Sequence, residues 1–377
     1  MPCTRTGYPV TYQKSHDWEF ALPRDVKEAL YVIQYRRPVP EALSDRDLMR
    51  DSISGPSYNY RLTRDHYAWW LAKKASYFRK FHEKWFERRL PNSVYLNYDT
   101  LTRQPQEAIA PIVRWVDGAV DEQKLAGAVA EASKSRGGPR EAYKPRVVEE
   151  SAHFDRDLLS AFEDYVLRHC PKLEFTAELP GSYEGHFLHG LILLQDPDVP
   201  LPAGEHDRLD AAARLAPKHP EVLLRQARRA LDQGATDAGL SLLEETLECS
   251  PYFGQAYRLL IDACKSAGKA LPASLSSSHA IFALAEYPGA LVDIAKSMLD
   301  EERLVNAVAA LTFVTVIQPD NFRANHLLAK TLGNLGRWSE ARQYAEKAVD
   351  IKPGNEANLK LLANIRSHLG LGREAAA

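Results

Sequence analysis

The stretch Leu328-Ala329-Lys-Thr-Leu332-Gly-Asn-Leu-Gly336-Arg-Trp338-Ser-Glu-Ala341-Arg-Gln-Tyr-Ala345-Glu-Lys-Ala348-Val-Asp-Ile-Lys-Pro353 decides the fold of the C-terminal half. Leu328, Ala329 and Leu332 recur at helical spacing, Gly336 interrupts them, and Ala341, Ala345 and Ala348 resume the spacing. Two helices joined by a tight turn follow from this pattern. Small residues are needed where such helices cross at close approach, and Pro353 stops the second before another begins. Proline recurs at Pro217, Pro251, Pro319 and Pro353, at separations of 34, 68 and 34 residues, with the missing beat at Ala285. A repeating helix pair is the expectation, with units 220–253, 254–287, 288–321 and 322–355.

These positions and the 34-residue period resemble the tetratricopeptide repeat. Ala295 and Ala307 fill the crossing positions of the third unit, and Ala227 and Gly234 fit the first. A degenerate unit over 186–219 and a capping helix over 356–370 complete the expected all-α superhelix, assigned to 181–377. Stacked repeats bury a continuous core and leave a groove, which implies a protein partner. The same apolar pattern is also required merely to bury a helix face, and no cluster of Lys, Arg or Asn on one repeat face names a ligand.

Outward from the repeats, the length of 377 residues favours two domains. No stretch approaches the ~20 apolar residues of a membrane span. With 48 Lys plus Arg against 50 Asp plus Glu, the net charge of −2 gives no global drive toward nucleic acid. The charge is unevenly placed: residues 1–172 carry 28 basic and 24 acidic side chains, leaving 20 and 26, a net of −6, for the remainder. Five of six tryptophans precede residue 120. Pro- and Gly-rich sequence over 171–185 and 196–205 suits a connector, which puts the domain boundary near 180. Cys3, Cys170, Cys249 and Cys264 lack metal-ligand spacing and read as reduced, buried thiols. The first twenty residues lack a secretory apolar core, so cytoplasmic residence is expected.

In the first half, Tyr8–His16, Ala29–Pro38 and Ser93–Asp99 each read as a short strand leading into a polar turn, followed by helix-compatible sequence. Such alternation argues for an α/β domain with a mainly parallel sheet and ligands beyond the strand ends. Arg36 falls at a strand end, and Ser44 follows in the first turn of a helix expected over 40–50. An arginine fork, a hydroxyl and a helix N-terminus together suit a phosphate. Equally, Arg36 and Arg37 could pair with carboxylates such as Glu41.

The run Tyr35-Arg36-Arg37-Pro38-Val-Pro-Glu-Ala-Leu-Ser44 resembles the 3′-phosphate-binding segment of sulfotransferases that use 3′-phosphoadenosine 5′-phosphosulfate. Lys14-Ser15-His16 is similar to that family's Lys-Thr-His segment, and Tyr95-Leu-Asn-Tyr98-Asp99-Thr-Leu101 to its Tyr-Glu-Asp-Leu segment, in the family's order. Lys144 and the His153-Phe154 pair fall at the spacing of its late phosphate-binding loop, with Tyr143, Pro145 and Glu150 in place of the usual Arg, Gly and Trp. The resemblance implies that Arg36 and Ser44 hold the 3′-phosphate and that Tyr98 lies near the adenine, with Lys144 as a further phosphate ligand. It also implies that His16 is general base on an acceptor hydroxyl and that Lys14 stabilises charge beside it. His16 alone reads as a hydrogen-bonded structural histidine at a strand end; the order of the motifs is what sets the catalytic reading level with it.

The family's opening strand and Gly-rich phosphosulfate loop have no counterpart, since thirteen residues precede Lys14 and Gly7 is their sole glycine. The expected first domain, 1–180, is therefore an N-terminally shortened α/β sulfotransferase-like domain of the P-loop type. Between Tyr58 and Leu90, aromatics such as Trp69, Trp70 and Phe78 interleave with Lys73, Lys74, Arg79 and Lys84, as in an amphipathic helix with a solvated basic face. In the sulfotransferase reading this helix borders the acceptor pocket, with a carbohydrate or anionic acceptor as candidates. Nucleic-acid binding is the least favoured use of it. Two functions stay open: sulfuryl transfer to a hydroxyl acceptor with repeats for docking, and a noncatalytic adaptor carrying a sulfotransferase remnant.

Overall fold

The computed structural model describes residues 30–52, 58–88, 92–134 and 147–371. In chain order the first elements are β1 (Tyr31–Tyr35), α1 (Pro38–Ser52), α2 (Tyr58–Arg61), α3 (Arg64–His82), β2 (Ser93–Asn97), α4 (Tyr98–Arg103), α5 (Pro105–Asp117), α6 (Glu122–Lys134), α7 (Arg156–His169), α8 (Phe187–Gln195) and α9 (Arg208–Leu215). The repeat helices are α10 (Pro220–Asp232), α11 (Thr236–Cys249), α12 (Gly254–Ser266), α13 (Ser278–Ala283), α14 (Pro288–Asp300), α15 (Leu304–Ile317), α16 (Phe322–Asn334), α17 (Trp338–Ile351) and α18 (Glu356–His368). Two compact units result. One groups the described residues up to Ser52 with Trp70–Pro200; the other groups residues 58–69 with those from Leu201 on.

In the first unit β1 and β2 pair in parallel, from Tyr31 opposite Ser93 to Tyr35 opposite Asn97. They are the only sheet among the described residues, and the strand expected at Tyr8–His16 lies outside them. The core is mostly helical: Leu158, Leu159, Phe162, Tyr165 and Val166 give α7 a fully buried face. Leu188, Leu191 and Ile192 of α8 are equally buried, and α8 packs on α7. Fully burying such a side chain contributes about 1.5–3 kcal/mol. This packing explains why the units divide at Pro200 rather than near 180. α8 falls in the first unit and α9 in the second.

The second unit follows the 34-residue beat in backbone as well as sequence. The helices α10, α12, α14, α16 and α18 begin at 220, 254, 288, 322 and 356, each 13 residues long. Pro251, Pro319 and Pro353 each stand two residues beyond the end of α11, α15 and α17. Gly239, Ala307 and Ala341 occupy one crossing position; a Cβ on Gly239 would lie 2.6 Å from Leu231 Cγ. A continuous core runs from Leu224 to Ile365 and includes Tyr60. The array is of tetratricopeptide type. Its irregular member is α13, a six-residue helix where a longer one is due, because Pro272 and the Ser-rich run to Ser278 disfavour helix.

Candidate functional site

Three residues expected to meet in the first unit do meet. β1 ends at Tyr35, and Pro38, unable to extend a strand, becomes the first residue of α1, with Glu41 N–H donating to Arg37 O. The helix thus starts two residues before the expected position, which carries Ser44 past the first turn and away from the helix N-terminus. Arg36 Nη1 donates to Ser44 Oγ at 2.9 Å, and the guanidinium lies 4.6 Å from the centre of the Tyr98 ring. Tyr98 is delivered by the immediate β2-to-α4 turn, where Asn97 accepts from Asp99 N–H. Arg36 Nε is buried and has no hydrogen-bond partner among the described residues. Beside it opens a cavity of about 260 Å³ walled by Tyr35, Tyr77, Phe78 and Phe81, with Glu41 also lining it. A guanidinium with an unspent buried N–H donor and an aromatic wall suits a planar group carrying an anion.

The alternative pairing of the arginines resolves residue by residue. Arg37, not Arg36, takes carboxylates: Asp99 at 2.8 Å, and Glu178. Glu41 takes Lys74 instead, at 2.7 Å, with Asp45 on the same ammonium at 2.5 Å. Burial pushes the Glu41 carboxyl up, and the Lys74 charge pulls it back. Lys74 is therefore not part of a solvated basic face. Neither is Arg79, which bonds the fully buried Asp196 at 2.6 Å and Asp198 at 2.5 Å, nor Lys84, buried against Trp85. For Lys74, Arg79 and Lys84 the expectation of a solvated basic face is corrected, whereas Arg64, Lys73 and Arg88 of the same segment are exposed.

Lys14, His16 and Lys144 lie outside the described residues, as does Cys3. His153 Nε2 stands 3.7 Å from Asp47 Oδ1 of α1 rather than beside Arg36. Among the described residues no group of three or more His, Cys, Asp or Glu could hold a metal ion. No described helix is long and apolar enough to cross a membrane. Cys170 and Cys264 are buried as expected, and burial pushes the Cys170 thiol up to about 12, whereas Cys249 is exposed.

The second unit holds a further cavity, of about 660 Å³, lined by Trp69, Glu221, Arg225, Arg228, Asp232 and Gln255 among others. A smaller one of about 210 Å³ shares Trp69, Glu221 and Gln255 and adds Tyr60, Tyr252 and Tyr287. One wall comes from residues 58–69, far upstream in sequence. Tyr60 stacks on Phe253 at 4.6 Å, and His219 Nε2 approaches Asp65 O at 3.0 Å. The sequence reading missed this groove. Arg225 and Arg228 look like ordinary surface residues of one helix until Trp69 is placed opposite them.

No family model matches the chain, and no curated protein matches it. Solved structures similar to it include the crystal structure of MamA protein, at 16% identity over 41% of this chain and 84% of that one, with a TM-score of 0.34. YrrB, described as a TPR protein with an unusual peptide-binding site, matches at 13% identity over 45% and 86%, TM-score 0.34. A human IFIT1 dimer with PPP-AAAA matches at 14% over 95% and 71%, TM-score 0.25.

Proposed function

We propose that the chain is an interaction protein that docks a protein partner in the groove of its tetratricopeptide-type array and carries the first unit as a noncatalytic remnant. The observation that supports it is the groove itself: first helices repeated every 34 residues, with open cavities along α10 and α12 lined by polar and aromatic side chains. A scaffold of stacked pairs offers such a surface without needing any reacting group.

A second reading is favoured by the Arg36, Ser44 and Tyr98 arrangement. In it the first unit binds 3′-phosphoadenosine 5′-phosphosulfate: Arg36 and Ser44 take the 3′-phosphate, Tyr98 lies near the adenine, and Lys144 adds a cation. The unpartnered Nε of Arg36 fits an incoming anion. The nucleotide supplies the sulfuryl group. His16 takes the proton of an acceptor hydroxyl, a carbohydrate being the candidate class, and Lys14 offsets charge on the transferring group. Calorimetric titration with 3′-phosphoadenosine 5′-phosphate separates the readings. Micromolar binding that is lost in Arg36→Ala favours the second and removes "remnant" from the first; absence of binding by the wild type leaves the interaction protein.

A further inference from the structure

We infer that the groove between Trp69 and α10 takes an acidic side chain of a partner peptide, gripped by Arg225 and Arg228. The inference rests on the interaction-protein reading and names its partner class. Three neighbouring arginines of α10 behave differently. Arg229 is committed to Asp207 at 3.1 Å and Asp210 at 2.5 Å. Among the described residues neither Arg225 nor Arg228 has a carboxylate at ion-pair distance, yet both line the 660 Å³ cavity. Arg225 lies 5.4 Å from the centre of the Trp69 ring. A guanidinium at cation–π distance from a ring keeps N–H donors for a carboxylate acceptor. The ring itself is held in place, because the segment carrying it is pinned by the Tyr60 stack on Phe253 and by His219 against Asp65 O. Arg225 is thus positioned beside a fixed ring before a ligand arrives, which lowers the entropic cost of binding.

Two acids share the wall, Glu221 and Asp232, and Glu221 opposes an incoming carboxylate less than its formal charge suggests, because burial pushes it up to about 7. Gln255 supplies an amide beside the fork. The adjoining cavity, walled by Tyr252 and Tyr287, extends the groove for apolar neighbours of the acidic residue. An extended polyanion such as RNA fits less well. It needs cations along its track, whereas residues 173–377 carry a net of −6. A single acidic side chain meets only the local pair.

The test uses the full chain and a fluorescein-labelled hexapeptide of alternating Glu and Leu, with a Gln/Leu peptide and oligoadenylate as comparators. Expected is binding of the Glu peptide at least tenfold tighter than the Gln peptide. Arg225→Gln and Arg228→Gln should each weaken it at least fivefold, Arg342→Gln should leave it unchanged, and thermal melts of all variants should match the wild type. Equal affinity for both peptides, or indifference to the Arg225 and Arg228 variants, overturns the inference, as does oligoadenylate competing for the same site with higher affinity. A display selection of random hexapeptides on the wild type separates the two failures. Neutral peptides selected in the groove sink the acidic class alone, whereas no selected peptide sinks the interaction reading with it.

Discussion

Glu302 stands 34 residues before Gly336, and the two occupy the same left-handed turn between the helices of successive repeats, with φ of 59° and 74°. Gly234, Gly268 and Gly370 hold that position in the other repeats, also with positive φ. Glu302 is thus the one non-glycine on a periodic site where a Cβ costs about 1–2 kcal/mol. Part of that cost is offset because glycine loses more freedom on folding. Glu302→Gly should raise stability by about 0.5–1 kcal/mol, read as a higher urea midpoint at unchanged slope. Gly336→Ala should lower it by about 1 kcal/mol. A neutral or destabilising Glu302→Gly would show that the glutamate side chain compensates for its backbone.

Gly254 begins α12 where proline begins α10 and α14, and the reason is the short α13. A Cβ on Gly254 would lie 2.3 Å from the carbonyl oxygen of Ala283, the last residue of α13. Gly254→Ala should therefore cost about 1–3 kcal/mol, as overpacking against backbone does. Gly289, in the first turn of α14, has nothing within 4 Å of its Cβ position. Gly289→Ala should be neutral or stabilise by up to about 1 kcal/mol. Equal effects of the two substitutions in denaturant titrations would contradict the close approach.

Legibility differed between the halves for a physical reason. The repeats depend on local spacing, so Pro251, Ala307, Gly336 and Ala341 could be placed from one unit and copied along the chain. Arg36, Ser44 and Tyr98 were named together because a motif linked them, and their convergence follows from one parallel strand pair. The partners of Lys74 and Arg79 are distant in sequence and leave no local signal: Asp196 lies 117 residues from Arg79. The groove at Trp69 escaped for the same reason, being built from two segments with no shared period. Charge on a helix face cannot report what an unrelated stretch of chain will lay against it.

Asp196 makes such a distant contact testable. It is fully buried, accepts from Arg79 Nε at 2.6 Å and from the Tyr165 hydroxyl at 2.5 Å, and lies within the first unit. Burial alone would raise its carboxyl, but these two donors outweigh burial and hold it below the ordinary range. Asp196→Ala should cost the first unit about 3–5 kcal/mol, because a mostly buried guanidinium loses its one buried partner and keeps only the exposed Asp198 and Glu83. Asp198, on the same guanidinium but largely exposed, should cost less than about 1 kcal/mol as Asp198→Ala. The carboxyl is depressed in the fold, so its contribution is complete above the ordinary carboxylate range and is lost as pH falls through the folded value. Comparable losses for the two alanine variants would mean that Asp196 adds nothing beyond a surface pair.

Glu221 titrates in the opposite sense. Burial raises it from 4.5 to about 7, with Arg225 and Arg228 pulling it back. The folded chain therefore binds more protons than the unfolded chain between those values, and stability declines as pH rises through that window. The whole shift corresponds to about 3 kcal/mol. Glu221→Gln keeps the shape and removes the titration. The variant should match the wild type near pH 4.5, exceed it by up to about 3 kcal/mol at pH 8, and show a flatter profile of urea midpoint against pH. The same variant bears on the groove, since its neutral amide no longer competes for the two arginines, and the Glu peptide should bind it more tightly at pH 8 than it binds the wild type. A wild-type profile that is flat from pH 5 to 8 would place the Glu221 carboxyl in contact with water and remove both expectations.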